Sequence, residues 1–325
     1  MTVMNMANAL NDALAVALAD DERVVLLGED IGRTGGVFRV TDGLQTRFGE
    51  NRVIDTPVAE SGIVGAAFGM AIAGLRPVAE IQFLGFSYPA YDQIVSHVGR
   101  IRNRSNHRFT APLVIRIPFG GGIGAAEHHS ESSEAMYAHT PGIKVVVPAT
   151  PSAAKGLLLA AIEDPDPVIF LEPIRVYRAI KEEVPEGRFT IPIGVADIVR
   201  TGSDVSVIAY GATVRDALAS ADTLDADGVS VEVIDLRTLS PLDASTVVAS
   251  AQKTGRVVAV SEGHRTAGIA SELAAIVQEQ ALYSLLAPVQ RVTGWDTVVP
   301  LKRTERHHIP GVARIVAAVR RTLED

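Results

Sequence analysis

The sequence has 325 residues, 47% of them hydrophobic, with a positive mean hydropathy and no cysteine. This length and apolar content exclude a disordered chain and allow two domains with sizeable cores. The net charge of −8 and isoelectric point near 5.5 exclude nonspecific attraction to nucleic acid or anionic membrane. Without cysteine there is no disulfide framework and no thiolate metal site.

The stretch Met1–Asp21 reads as an amphipathic helix with acids near its end. It lacks the basic start and cleavable apolar core of a secretory signal, so a cytoplasmic location is expected. No uncharged apolar run of about 18 residues occurs, and no membrane span is expected. Short β-branched runs then alternate with helical stretches, the pattern of a parallel-sheet α/β protein. Strands are predicted over Val24–Gly28, Pro77–Phe83, Pro112–Ile117, Lys144–Pro148 and Val168–Leu171. Helices between them include Glu60–Ala73, Ala90–Asn106 and Ser152–Glu163. After the polar, proline-bearing stretch Lys181–Pro192, further strands are predicted over Val205–Tyr210, Val229–Leu236, Arg256–Ser261 and Pro288–Thr293. A boundary at about residue 190 divides the chain into domains 1–190 and 191–325.

The Glu60 helix carries Gly62, Gly65, Gly69 and Ala73, at spacings that bring small residues onto one face. Each interior glycine costs roughly 0.5 to 1 kcal/mol against alanine, so close approach of another backbone is expected. A tightly packed core helix opened by an acid at its positive end accounts for the pattern. So does a cofactor site. Glu60, Gly65, Ala66, Gly69 and Met70 fill E-x-x-x-x-G-Φ-x-x-G-Φ, with Ala66 a small occupant of the first apolar position. That pattern resembles the aminopyrimidine-binding motif of thiamine-diphosphate enzymes.

The resemblance extends over essentially the whole chain. Leu27–Asp30, Gly35–Arg39, Asp55–Pro57, Ala79–Phe83 and Tyr91–Ile94 carry it first; His129-Ser130, Pro141–Val146, Lys155–Leu158 and Glu232–Arg237 carry it onward. The chain is thereby similar to the β subunits of pyruvate and branched-chain 2-oxo acid dehydrogenases. The resemblance implies an N-terminal pyrimidine-binding domain and a C-terminal transketolase-like domain that pairs subunits and docks the acyltransferase core. It also implies thiamine diphosphate as the cofactor. Glu60 would hydrogen-bond the aminopyrimidine ring nitrogen and promote the tautomer in which the cofactor's amino group acts as a base. Its burial is expected to raise its pKa, because desolvation disfavours a carboxylate.

His129, in Ala126–Ser130, follows a loop expected to be flexible, Gly120–Gly124. Taken alone, His128 and His129 fit a solvated polar loop, and no H-E-x-x-H pattern marks a metal site. The resemblance places His129 near the substrate carboxylate and the acylation of lipoamide. It sets Phe86 against the aminopyrimidine, with Gln82 close to the same pocket, although Phe86 also fits an ordinary core position. Glu29 and Asp92 match members of an acidic channel between two active sites, and equally match solvated strand-end acids. Leu113, Ala161, Ile162, Asp164 and Asp166 resemble a monovalent cation site, potassium being the expected ion; Asp166 replaces the asparagine of several relatives. A helix end followed by a proline turn accounts for the same loop.

No G-D-G motif for diphosphate and magnesium is present, and the glycine run lacks the G-K-[ST] ending of a phosphate loop. This chain is therefore expected to hold one half of the cofactor at most, and the resemblance implies that an α-type partner holds the magnesium and the diphosphate, in an α2β2 heterotetramer. The implied activity is oxidative decarboxylation of pyruvate or a branched-chain 2-oxo acid, with acyl transfer to lipoyl-lysine. Acetoin dehydrogenase, half of a split transketolase and a noncatalytic scaffold are the alternatives. In the second domain, Glu262, His264 and Arg265 follow a strand and fit either a ligand site or an ordinary connection. Glu324 and Asp325 fit docking contacts or solvated tail charges.

Overall fold

The computed structural model describes residues 1–324. β1 (Thr2–Asn5) leads into a helix over Met6–Asp20, and β2 (Val24–Gly28), β3 (Val53–Asp55) and β4 (Arg76–Glu80) follow. β5 (Val114–Phe119), β6 (Lys144–Val146) and β7 (Val168–Pro173) complete the first series, and β8 (Lys181–Val184) returns to pair antiparallel with β1. The second series contains β9 (Asp197–Arg200), β10 (Val205–Ala209), β11 (Val231–Asp235), β12 (Thr238–Ser240), β13 (Val257–Ser261) and β14 (Gln290–Thr293).

The first sheet has the order β12-β6-β7-β5-β4-β2-β3 and is parallel except where β12 meets β6. The second has the order β14-β13-β10-β11-β9 and is parallel except at β9. Every residue of β2, β5, β7, β10 and β13 is buried. Strands covered on both faces are expected to be apolar without alternation, which explains VVLLG and VVAVS. The two sheets share one apolar cluster, in which Ile115 and Ile169 pack with Ile208 and Ile234.

Local signals set several boundaries. Asn5 caps the first helix by accepting the Asn8 N–H at 2.9 Å. Thr150 caps the Pro151–Glu163 helix, where proline occupies the position that lacks an intrahelical donor requirement.

Three expectations are corrected. The first residues form β1 before the helix begins, and Lys181–Val184, expected in a linker, is its partner. The expected Ala90–Asn106 helix is broken into Tyr91–Ser96 and Ile101–Arg104 with a 3₁₀ turn between them. His97 leaves helical geometry there, and Gly99 lies so close to the Pro141–Ile143 loop that a Cβ would stand 2.9 Å from the Pro141 oxygen. Tertiary crowding interrupts the helix.

Candidate active site

From β2 the chain runs to β3 on one side and then crosses to β4 on the other. Such a reversal opens a crevice beyond the C-terminal strand ends, where ligands bind in open α/β sheets. Glu29 and Asp30 leave β2 here, and Gln82 leaves β4, donating from Nε2 to Asp30 Oδ2 at 3.5 Å. Glu60 opens the helix after β3, at the end where the helix dipole favours an anion.

Glu29 is buried and accepts a hydrogen bond from the Ala59 backbone. Burial first, and then the neighbouring charge of Glu60, pushes its carboxyl above the usual range. Its Oε1 has no hydrogen-bond partner among the described residues. Glu60 itself is part-exposed, contrary to the expected burial, because this chain leaves the helix's first turn uncovered at Ser61 and Gly62. The expected close backbone approach is also absent within this chain. A Cβ on Gly69 would meet nothing within 4 Å, and one on Gly65 would meet only the Gln93 side chain, at 3.5 Å. Gly62, Ala66, Gly69 and Ala73 are exposed together.

The Ser61 hydroxyl donates to the Pro89 carbonyl, tying the Glu60 helix to the 3₁₀ turn Leu84–Ala90 that carries Phe86. The part-buried Phe86 ring stands 5.5 Å from Phe83 and 5.0 Å from His129, both edge to face. His129 lies 4.6 Å from Phe83, and its Nδ1 is shielded from solvent without a hydrogen-bond partner among the described residues. His128, on the exposed side of the same turn, faces Phe86 at 5.3 Å and Tyr88 at 5.9 Å. Gly85 allows this contact, since a Cβ there would overlap the His128 carbonyl oxygen. Glu60, Phe86 and His129 thus come from adjoining segments, the Glu60 helix being tied to the Phe86 turn and that turn packed on His129, while Gln82 lies just ahead of the same turn. Asp92 is exposed and accepts from the Ser96 hydroxyl, whereas Glu29 is buried.

The residues expected to hold potassium have hydrogen-bond or ion-pair partners within this chain. Lys144 Nζ donates to both oxygens of Asp164, at 2.7 and 2.6 Å, and Arg102 Nε donates to Asp166 at 2.6 Å. The Ile162 carbonyl accepts from Arg76 at 2.7 Å, that of Leu113 from Val168 at 3.0 Å and that of Ala161 from Asp164 at 3.3 Å. Lys144 and Arg102 thus neutralise the two carboxylates, while each of the three carbonyl oxygens keeps a second lone pair.

An acid at a helix start, an amide and an aromatic wall beside an orphaned buried carboxyl oxygen fit the aminopyrimidine half of thiamine. Among the described residues, no group of three or more histidine or acidic side chains is arranged to hold a metal. Sequence reasoning missed the Phe83 wall and the burial of Glu29. It also expected Gly120–Gly124 to be flexible, whereas Gly121 donates to the buried Glu262 at 2.6 Å. His264 faces His308 at 6.3 Å, and Arg265 donates to the Arg291 carbonyl at 3.0 Å.

Residues 2–179 match the family described as transketolase, pyrimidine binding domain, and residues 194–315 match transketolase, C-terminal domain. The pyruvate dehydrogenase E1 component subunit beta of Acholeplasma laidlawii is 52% identical over 321 residues, covering 99% of this chain and 98% of that protein. The subunit of the same name from Bacillus subtilis (strain 168) is 50% identical over 324 residues, covering 100% of both chains. A solved structure titled split gene transketolase, inactive beta4 tetramer, superposes with a TM-score of 0.82 over 99% of this chain and 98% of its own. At 24% identity that likeness concerns the fold alone. The chain belongs to the family of pyruvate dehydrogenase E1 component β subunits, built from the transketolase pyrimidine-binding and C-terminal domains.

Proposed function

We propose that this chain is the β half of a decarboxylating 2-oxo acid dehydrogenase component that acts on pyruvate and passes the acyl group to lipoyl-lysine. The observation that carries the reading is Glu60 at a helix start, beside the buried Glu29, in a crevice walled by Phe83, Phe86 and His129. Bound thiamine diphosphate supplies the electron sink for decarboxylation. Glu60 would hold a proton at the aminopyrimidine ring nitrogen, Gln82 would border that ring, and Phe86 would pack on its face. His129 would orient the substrate carboxylate and support transfer to lipoamide. The relatives' names favour pyruvate over branched-chain acids, which apolar pockets separate by only about 1 to 3 kcal/mol per methylene.

The part-exposed Glu60 and the open glycine face support a site completed by an α-type subunit. A helix that is apolar around its circumference is ordinarily buried. That partner would bring the magnesium and the diphosphate site, in an α2β2 assembly. The second sheet would dock the acyltransferase core; Glu324 is exposed there, and Asp325 lies outside the described residues. No described helix is long and apolar enough to cross a membrane.

The test is decarboxylation of pyruvate and of 3-methyl-2-oxobutanoate by the chain alone and by the complex with its α-type partner, supplied with thiamine diphosphate and magnesium. Activity in the complex only, acyl transfer to a lipoyl domain and loss of turnover in Glu60→Gln are expected. Full turnover in Glu60→Gln would refute the assignment. Silence of an assembled complex on both acids would turn the reading toward acetoin dehydrogenase, a transketolase half or a scaffold.

A further inference from the structure

The glycine run Gly120–Gly124 begins at the end of β5 and leads to His129. Gly120, Gly122 and Gly124 have φ of +90°, +92° and +72°, a region that glycine enters at little steric cost. A segment so rich in glycine is costly to order, and an unpinned loop of this composition would not fix a side chain. Here it is pinned at both levels. At its base, Gly120 N donates to the Glu131 carbonyl at 2.9 Å, closing the loop. Above that, three backbone donors, two of them consecutive, reach across to the other sheet's unit. Gly121 N meets Glu262 Oε1 at 2.6 Å, while Gly122 N and Gly124 N meet the two oxygens of Glu305 at 2.7 and 3.0 Å.

Closely spaced backbone N–H groups in a glycine-rich turn can line a concavity that binds anions. In a nucleotide-binding loop the anion is a phosphate; here it is supplied by two carboxylates of the same chain, both buried. Charge-assisted bonds to backbone N–H groups are among the stronger hydrogen bonds. Arg175 supports the arrangement, with Nη2 at 2.7 Å from Asp216 and 3.9 Å from Glu262. A Cβ on Gly121 or Gly124 would stand 3.0 Å or less from the side chains of Ile309 or Lys302, which would have to shift, and at Gly124 the positive φ itself favours glycine. Beyond the pinned stretch, the turn Glu127–His129 closes with His129 N donating to the Ala126 carbonyl at 3.0 Å, and its ring is set against Phe83 and Phe86.

We propose that Glu305, with Glu262, is a positioning residue for His129, acting as a built-in anion that holds the glycine loop in register with the crevice. This rests on the reading of His129 given under Proposed function. It assigns to the second domain a part in the reaction beyond subunit pairing.

The experiment uses the assembled complex loaded with thiamine diphosphate and magnesium. Glu305→Ala should raise amide exchange at Gly121–Gly124 and lower kcat for acyl transfer to a lipoyl domain by about tenfold, as expected for lost charge-assisted bonds. KM for pyruvate should stay within about twofold, because the loss falls on turnover and not on uniform binding. Glu305→Gln keeps one acceptor oxygen and should be intermediate in both readouts, which covers the case in which the alanine variant does not fold. In a His129→Ala background, Glu305→Ala should lower turnover no further. Additive losses would overturn the proposal, as would reduced turnover in Glu305→Gln with parental exchange. If His129→Ala retains full turnover, the reading of His129 fails and this role with it. If His129→Ala is impaired while Glu305→Ala has parental turnover, the positioning role alone is overturned.

Discussion

Arg116 on β5 grips Glu172 on β7 through two parallel hydrogen bonds, Nε to Oε1 at 2.6 Å and Nη2 to Oε2 at 2.8 Å, where solvent does not reach. Its remaining arm, Nη1, meets Glu80 on β4 at 2.6 Å, and the Tyr177 hydroxyl donates to Glu172. Three adjacent strands are thereby joined through one guanidinium. Arg116→Met would leave two buried carboxylates without a cation. Breaking a buried pair in this way costs about 3 to 5 kcal/mol. The urea midpoint should fall sharply, whereas Arg23→Met, whose pair with Asp21 is largely solvated, should leave it nearly unchanged.

Phe86 packs edge to face on Phe83 and His129 and is the aromatic wall of the crevice. Such pairs contribute about 0.5 to 1.5 kcal/mol beyond the area they bury. Phe86→Ala should therefore weaken thiamine diphosphate binding by about tenfold. Calorimetric titration of the assembled complex measures this, and unchanged affinity would place the ring outside the cofactor's contact.

Gly85→Ala tests how the His128-His129 turn is seated. The added Cβ would overlap the His128 carbonyl oxygen, a backbone atom that cannot rotate away. Turnover should drop by about tenfold or more while the unfolding midpoint shifts modestly, since a misplacement of about 1 Å can cost a hundredfold in rate. Parental turnover would show that the turn has slack.

Glu134 is buried, with its carboxyl pushed up to about 7 by burial, an effect opposed by the hydrogen bond from Tyr210. The folded state thus holds this proton more tightly than the unfolded chain, whose glutamate titrates near 4.5. Stability is greatest below about pH 4.5 for this group, falls as pH rises through the window and levels off above about 7. At 1.36 kcal/mol per unit the loss is about 3 kcal/mol. Glu134→Gln removes the titration and keeps an acceptor for Tyr210, so the fall in unfolding free energy between pH 5 and 7 should shrink by about 2 kcal/mol. An unchanged slope would assign the titration elsewhere, with Asp235, also pushed up to about 7 by burial, as the next group to replace.

The parts of the fold that were legible are those decided locally. β2 and β13 read correctly because burial on both faces demands unbroken apolar runs, and the helix that Glu60 opens was legible because its start and its spaced glycines are a contiguous signal, whereas the role proposed for Glu60 comes from the resemblance. What escaped depends on chain segments far apart in sequence. Nothing local marks Lys181–Val184 as the partner of Thr2–Asn5, since a charged edge strand resembles a linker. The break near His97 is imposed by the loop at Pro141. Asp164 and Asp166 looked available for an ion because the distant Lys144 and Arg102 that neutralise them cannot be paired from spacing alone. Likewise, a glycine run without a phosphate-loop ending reads as slack until Glu262 and Glu305 are brought to it.

The strand β12 belongs by sequence to the second series but lies at the edge of the first sheet, with Thr238 opposite Val146 and Ser240 opposite Val145. Dissection of the protein is thereby constrained. A fragment ending near residue 190 would carry β6 without its neighbour, offering an unpaired, apolar edge to other copies of itself. The complementary fragment would carry a strand with no sheet to join. Fragment expression, domain swapping with a relative and circular permutation should therefore cut elsewhere, because the exposed linker is a seam in the chain and not in the molecule.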